Sequence, residues 1–222
     1  MAVYFLRQLT AARLGELVEI VDRGVLPELW EERQADPFTE DERVRLAALR
    51  RQLVSFKVHI VNEATIWARA IYPLLAMAER DKIRAFAQVA ISGTFGNGEL
   101  RGEVDGALAP MGLVGDAVPP YLLVVEAKRG VEAHDPIAQL LGGLLCAARR
   151  NHTRRPRGEH VIYGAYTIAD VWTFIEATIA GLDGDRPRVT TAFSREYTET
   201  AEAETILLLL KSMVAELASQ PA

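Results

Sequence analysis

An acid and an amine stand two residues apart at the end of an apolar segment of this sequence. Residues 121–125 are almost wholly aliphatic, which predicts a β-strand that is buried on both faces. The segment continues into Glu126-Ala127-Lys128. Because side chains alternate across a strand, Glu126 and Lys128 should project from the same face. An acid and a base side by side at the end of a buried strand predict a reactive site, and the alternative is a salt bridge where the strand meets its loop.

A second acid is placed near this strand by the order of the elements. Phe95-Gly96-Asn97-Gly98 is typical of a tight hairpin turn, and it predicts strands over residues 85–94 and 99–109. Asp105 lies on the second of these strands. Consecutive strands are usually neighbours in a sheet, so Asp105 should lie close to Glu126.

A third acid, Glu63, interrupts an apolar helical pattern. Apolar residues recur at spacings of three and four from Leu46 to Leu74 and predict one continuous helix that ends or kinks near Pro73. An unpaired carboxylate in that seam would be costly or would have a raised pKa. Glu63 therefore either faces a metal or a water at the edge of the sheet, or is a polar seam residue that fixes helix pairing.

The helix expected after the central strand carries two further candidate features. Asp135-Pro136 predicts its start, and a face of small residues would let Gln139 lie over the strand ends, although an exposed first-turn Gln is common. The helix runs into a segment with five arginines in nine residues. These are Arg149, Arg150, Arg154, Arg155 and Arg157. Such a run can contact phosphates, and part of it complements the helix C-terminus.

Composition narrows the function classes. The chain has 222 residues, half of them hydrophobic, and a formal net charge of −5, so nucleic-acid binding would need a local basic patch. Cys146 is the single cysteine, which excludes an intramolecular disulfide, and the four histidines show no zinc-site spacing. No segment has the pattern of a signal peptide or a membrane span, and a cytoplasmic location is expected.

Taken together, these residues and their elements resemble the PD-(D/E)XK nuclease superfamily, the restriction-endonuclease-like fold. Asp105 matches the family's acidic strand residue, Glu126-Ala127-Lys128 its Glu-x-Lys, and Glu63 and Gln139 its two helix positions. Tyr163-Gly164 and Trp172-Thr173-Phe174 look like the downstream hairpin of branches associated with restriction systems. The resemblance covers about residues 56–180, and no proline precedes Asp105 as it does in many members.

The resemblance implies a metal-dependent nuclease acting on DNA, of the kind that belongs to restriction or repair systems. Mg²⁺ or Mn²⁺ would be held by Asp105, Glu126 and the carbonyl of Ala127, with Glu63 binding a second ion or a water. Lys128 would orient or deprotonate the attacking water or stabilise charge, and Gln139 would position Lys128 or a phosphate. Arg129 and the arginine run would contact nucleic acid. The competing interpretation is a catalytically silent nuclease-like fold that serves binding or assembly.

The expected architecture is α/β. A mixed central sheet with a helix-β-β-β-helix-β core should be flanked by helices, and residues 56–222 would form the nuclease domain. Residues 1–55 are predicted to be a helical extension, with helices over 10–22 and 26–33, and to provide a possible homodimer contact. Later strands are predicted over 160–168, 171–178 and 188–193, and a last helix over 200–217.

Overall fold

The computed structural model describes residues 2–55, 61–96, 98–128 and 136–218. These residues form a mixed α/β fold around an eight-stranded sheet. The strands are β1 (Ala2–Phe5), β2 (Glu19–Val25), β3 (Ile83–Phe95), β4 (Gly98–Pro110), β5 (Leu123–Lys128), β6 (Glu159–Ile168), β7 (Val171–Ala180) and β8 (Arg188–Thr198). The helices are α1 (Ala11–Leu17), α2 (Pro27–Glu31), α3 (Glu40–Val54), α4 (Glu63–Ile66), α5 (Tyr72–Met77), α6 (Pro136–Arg154) and α7 (Glu199–Ala218).

The sheet is mixed, and its order is β1-β4-β5-β6-β7-β8-β2, with β3 also paired to β4. The hairpin β3–β4 and the pairs β4–β5, β6–β7 and β7–β8 are antiparallel. The strands β5 and β6 are parallel, and α6 is the crossover that this parallel pair requires. The predicted helix-β-β-β-helix-β order and the mixed α/β class are confirmed.

Each face of the sheet has its own core. On one face the α7 cluster joins α3, α5 and α7 to Leu123 and Val125 of β5. On the other face the α6 cluster joins α1 and α6 to Val124. The small residues of α6 permit this packing, because a Cβ on Gly142 would lie 2.6 Å from Leu9 Cδ2 and one on Gly143 would lie 2.8 Å from Val104 Cγ1.

The N-terminal 55 residues contain α1, α2 and α3, and the helix expected over residues 26–33 is present as α2. The expectation of a purely helical extension was wrong, because β1 and β2 belong to the central sheet. The helix expected over residues 10–22 ends at Leu17, and the chain continues as β2 along the edge of β8. The strand β1 pairs in parallel with β4. Cross-strand pairing at both edges of the sheet therefore overrides the local helical pattern of the segment.

The apolar seam is also not one continuous helix. The helix α3 ends at Val54, and α4 begins anew after Asn62, whose side chain accepts a hydrogen bond of 2.9 Å from the Thr65 N–H. The seam residues Phe56 and Ile60 lie outside the described residues. The α3 leucines at 46, 49 and 53 are buried in the α7 cluster. The seam on which the dimer expectation depended is thus occupied within the chain.

Candidate active site

The candidate site lies where β4 and β5 part. The two strands pair over Gly106–Leu108 and Leu123–Val125, and beyond Gly106 their backbone ladder stops. There the Asp105 carboxylate replaces the missing backbone acceptor, since Asp105 Oδ2 accepts a hydrogen bond of 2.7 Å from the Ala127 N–H. The contact fixes Asp105 beside the end of β5, as the sequence predicted.

Glu126 is the most unusual side chain at this point. It is fully buried, and Lys128 Nζ donates a hydrogen bond to its Oε1. Its second oxygen, Oε2, has no hydrogen-bond partner among the described residues. Burial and the nearby Asp105 carboxylate raise the pKa of Glu126 to about 8, against the opposing effect of the Lys128 ammonium. A half-satisfied carboxylate in this setting is a strong acceptor for a cation.

Lys128 completes the acid–base pair. Burial lowers the pKa of Lys128, but the hydrogen bond to Glu126 and the charges of Glu126, Asp105 and Glu63 outweigh it, so the pKa is raised overall. Its side chain is 18% exposed, so the ammonium can still be reached from solvent. A base needs a lowered pKa, whereas this structure holds Lys128 as a cation near neutral pH.

Glu63 reaches the same group of charges by a route that the sequence did not predict. It is the first residue of α4 and is exposed, and it is not a buried seam residue, because the helix begins at this position. Partial loss of hydration raises the pKa of Glu63. Lys128 and Arg7 lower that pKa, and Asp105 raises it. Glu63 therefore lies close enough to Asp105 and Lys128 for their charges to act on it.

Gly106 allows the helical segment that carries Glu63 to pack closely on β4. Trp67, one helical turn beyond Glu63, packs on the backbone of Gly106. A Cβ at Gly106 would come within 2.9 Å of the Trp67 ring atom Cζ2 and closer still to Cη2. Gly106 directly follows Asp105. Two adjacent residues of β4 therefore provide a carboxylate and the surface on which Trp67 of the helical segment packs.

The backbone around Asp105 is irregular in a way that no sequence signal revealed. In the β3–β4 ladder Ala87 pairs with Gly106 and Val89 with Val104, which leaves Gln88 opposite Asp105 without a ladder pair. Gln88 has φ of 53°, the left-handed region that non-glycine residues seldom adopt. Strained backbone of this kind is concentrated at functional sites.

The other predicted residues are not drawn into this group. Gln139 lies in the first turn of α6, half-buried, and makes no hydrogen bond to the described residues. Arg129 lies outside the described residues. The arginine run lies at the opposite end of β5, because Asn151 of α6 bonds both the N–H and the carbonyl of Tyr121, at 2.7 and 2.9 Å. Tyr121 and Lys128 are separated by about 23 Å of extended chain.

Within the arginine run, several guanidinium groups serve the fold. Arg149 lies over the Phe95 ring at 5.1 Å, Arg150 donates to the Tyr121 hydroxyl at 3.4 Å, and Arg154 donates to the Pro119 carbonyl at 2.7 Å. Arg155 and Arg157 follow α6, which ends at Arg154. These contacts anchor the C-terminal part of α6 to the end of β3 and to the segment that precedes β5. The run therefore lies away from the carboxylates, and its predicted contact with nucleic acid stays a prediction.

The residues fit a divalent cation in part. Glu126 Oε2 is a buried, unpaired oxygen, and Asp105 adds a second carboxylate within reach of the same strand end. In the described ranges, however, no three or more Asp, Glu, His and Cys side chains are grouped as a metal-ligand set. The site thus offers two carboxylates, with Glu63 and the Ala127 carbonyl near them, and further ligands would come from water or substrate.

No protein-family model matches this chain, and a search of curated proteins found no similar sequence.

Proposed function

We propose that this protein is a divalent-metal-dependent nuclease that hydrolyses phosphodiester bonds in DNA at the parting of β4 and β5. The observation that carries the proposal is the Glu126 carboxylate, fully buried with Oε2 unpaired, beside Asp105 and the Lys128 ammonium. A carboxylate pair and an amine at one point of a sheet edge are the groups that the PD-(D/E)XK resemblance requires.

Each residue has a role that follows from its surroundings. Asp105 and Glu126 would hold the cation, with the Ala127 carbonyl and Glu63 on its flanks. Mg²⁺ or Mn²⁺, when bound there, would offset phosphate charge and acidify a water molecule. Because its pKa is raised, Lys128 would act as a cation that binds the scissile phosphate and stabilises developing charge, and it would not abstract a proton.

One observation favours a second candidate function, a silent nuclease-like fold that serves binding or assembly. Lys128 already neutralises Glu126 by a direct ion pair, so the pair is self-sufficient without a metal. If the ion pair has only a structural role, divalent cations should not compete with Lys128 for the Glu126 carboxylate.

The test is calorimetric titration of Mn²⁺ into the wild type and into the variants Asp105→Asn, Glu126→Gln and Lys128→Ala, with plasmid cleavage assayed on the same samples. We expect the first two variants to lose both metal binding and cleavage, and Lys128→Ala to keep the metal but lose cleavage. Glu199→Gln is the control, since Glu199 is another fully buried glutamate. If the wild type binds no Mn²⁺ with DNA present, the nuclease proposal fails.

Partners and location belong to the same proposal. None of the helices in the described residues is long and apolar enough to cross a membrane. A cytoplasmic location, a homodimer and a larger restriction or repair complex stay predictions. Sedimentation of the protein at high concentration, with and without DNA, tests directly whether it forms a homodimer.

A further inference from the structure

An exposed aromatic ring lies on the edge strand β1, which pairs with the strand that carries Asp105. Phe5 is the last residue of β1 and pairs with Arg101 of β4. Its side chain is 46% exposed, and the Arg101 guanidinium lies 4.9 Å from the centre of its ring. Aromatic rings and guanidinium planes that both face solvent are surfaces on which unpaired bases stack.

A cation lies between this ring and the carboxylates. Arg7 directly follows β1, and its side chain is 77% exposed, with a guanidinium nitrogen 3.7 Å from Glu103 Oε1. An ion pair this exposed is worth only about 0–1 kcal/mol, so a phosphate can exchange for Glu103 at little cost. Glu103 lies two residues from Asp105 on β4, so Arg7 lies near the carboxylate end of that strand.

These groups form one track that leads away from the site. Leu100 and Val104 of β4 are buried in the α6 cluster, so Arg101 and Glu103 face the opposite side of the strand. Asp105 follows Arg101 by four positions, which is about 13 Å of extended strand. That length spans roughly four stacked nucleotides of one strand.

We propose that Phe5, Arg7 and Arg101, the β1 track, bind an unpaired nucleic-acid strand that runs along β1 and β4 into the carboxylate site. The substrate is then DNA with a single-stranded segment beside the cleaved bond. Phe5 stacks on a base, which a duplex does not expose, while Arg7 and Arg101 contact phosphates. The inference rests on the proposed function, which fixes the end of the track at which the strand is cut.

The test is binding without catalysis. In EDTA, the fluorescence anisotropy of a labelled 12-nucleotide single strand and of the matching blunt duplex reports the Kd of each. We expect tighter binding of the single strand. Phe5→Ala should weaken single-strand binding roughly five- to hundredfold, the range that loss of one stacked base gives, and change duplex binding little. Arg7→Ala should also reduce the salt dependence of binding.

Matched controls lie on β2, at the other end of the sheet, where Val25 is an exposed apolar residue and Arg23 an exposed cation. Val25→Ala and Arg23→Ala should bind as the wild type does. Equal affinity of the wild type for single strand and duplex, no binding to either, or a Phe5→Ala variant that matches Val25→Ala overturns the inference.

The two proposals fail in different ways. If Mn²⁺ binding and cleavage are absent but Phe5→Ala still loses single-strand binding, the nuclease proposal falls and the β1 track stands as a binding surface. If the wild type cleaves and Phe5→Ala binds and cleaves the single-stranded substrate equally well, the nuclease stands and the β1 track is refuted. Thermal unfolding of each variant excludes a change in folding as the cause.

Discussion

Two buried glutamates lie at the ends of interior strands of the sheet. Their pKa values are alike, but the residues around them differ. Glu126 lies two residues before the end of β5. Glu199 follows β8, and its N–H donates a hydrogen bond of 2.8 Å to the Asp170 carbonyl. Both are fully buried, and both have a pKa raised to about 8, chiefly by burial. Each has one carboxylate oxygen without a hydrogen-bond partner among the described residues.

Their neighbours separate them. Glu126 has an ammonium and a second carboxylate beside it, and both are in contact with solvent in part. Glu199 instead accepts a hydrogen bond of 2.8 Å from the indole N–H of the buried Trp172, and Asp170 adds a negative charge nearby. A raised pKa therefore reports burial, whereas a reactive site also requires opposite charge and access.

The largest expected effect tests this distinction directly. Glu126→Gln should lower the cleavage rate by about 100-fold or more, because it removes a charged cation ligand. Glu199→Gln should leave the rate within about twofold of the wild type. Cleavage of a labelled plasmid in Mn²⁺ measures both, and equal losses in the two variants would contradict the comparison.

Stability as a function of pH should identify Glu199. Its folded pKa of about 8 exceeds the ordinary value of 4.5, so the folded state retains a proton that the unfolded chain releases. The free energy of unfolding should therefore fall as pH rises from 4.5 to 8, by roughly 2–4 kcal/mol, and be level above that range. Urea denaturation across this range should show a smaller fall in Glu199→Gln than in the wild type, and the part that remains is the contribution of Glu126, whose pKa is also about 8. A fall of the same size in the variant would assign it to another group.

Adding one methyl group at Gly106, under the Trp67 ring, should lower both stability and Mn²⁺ binding. Gly106→Ala should destabilise the protein by about 1–3 kcal/mol and weaken Mn²⁺ binding, because the new Cβ clashes with the Trp67 ring and moves the helix that carries Glu63. Gly15→Ala is the control, since a Cβ at Gly15 of α1 meets nothing within 4 Å and alanine favours helix. Urea denaturation measures the stability of each variant, and calorimetry measures its Mn²⁺ affinity. If Gly106→Ala and Gly15→Ala are equally stable and bind Mn²⁺ equally well, Gly106 has no role in the site.

The smallest expected effect concerns the acid near Glu199. Asp170→Asn removes a negative charge that raises the pKa of Glu199. The loss of stability between pH 4.5 and 8 should shrink by less than about 1 kcal/mol, since Asp170 is in partial contact with solvent. The same urea series measures it, and a larger loss in the variant would reverse the assigned sign.

The sequence predicted the parts of the site that depend on local pattern. A buried strand ending in Glu126 and Lys128, the hairpin before it and the helix from Pro136 follow from alternation, turn residues and capping. The strands β1 and β2 were missed because pairing with β4 and β8 is non-local and leaves no periodic signal in the N-terminal segment.

Two other features of the site have different physical origins. Glu63 was assigned to a helix interior because the apolar spacing continues past the break at Asn62, where an N-cap begins a new helix. The arginine run was predicted to contact nucleic acid, which stays a prediction, and the topology explains why the run lies away from the carboxylates. A helix that connects parallel strands runs back along the sheet, so its C-terminus lies at the start of β5.

The hydrogen bond from the Ala127 amide to Asp105 makes this amide a reporter of the site. Its protection from hydrogen exchange depends on a side chain and not on a neighbouring strand. A cation that draws the Asp105 carboxylate away would expose the amide to solvent, whereas one bound through the other oxygen would leave it protected. The exchange rate of one backbone proton thus records how the carboxylate divides its two oxygens between the fold and a ligand.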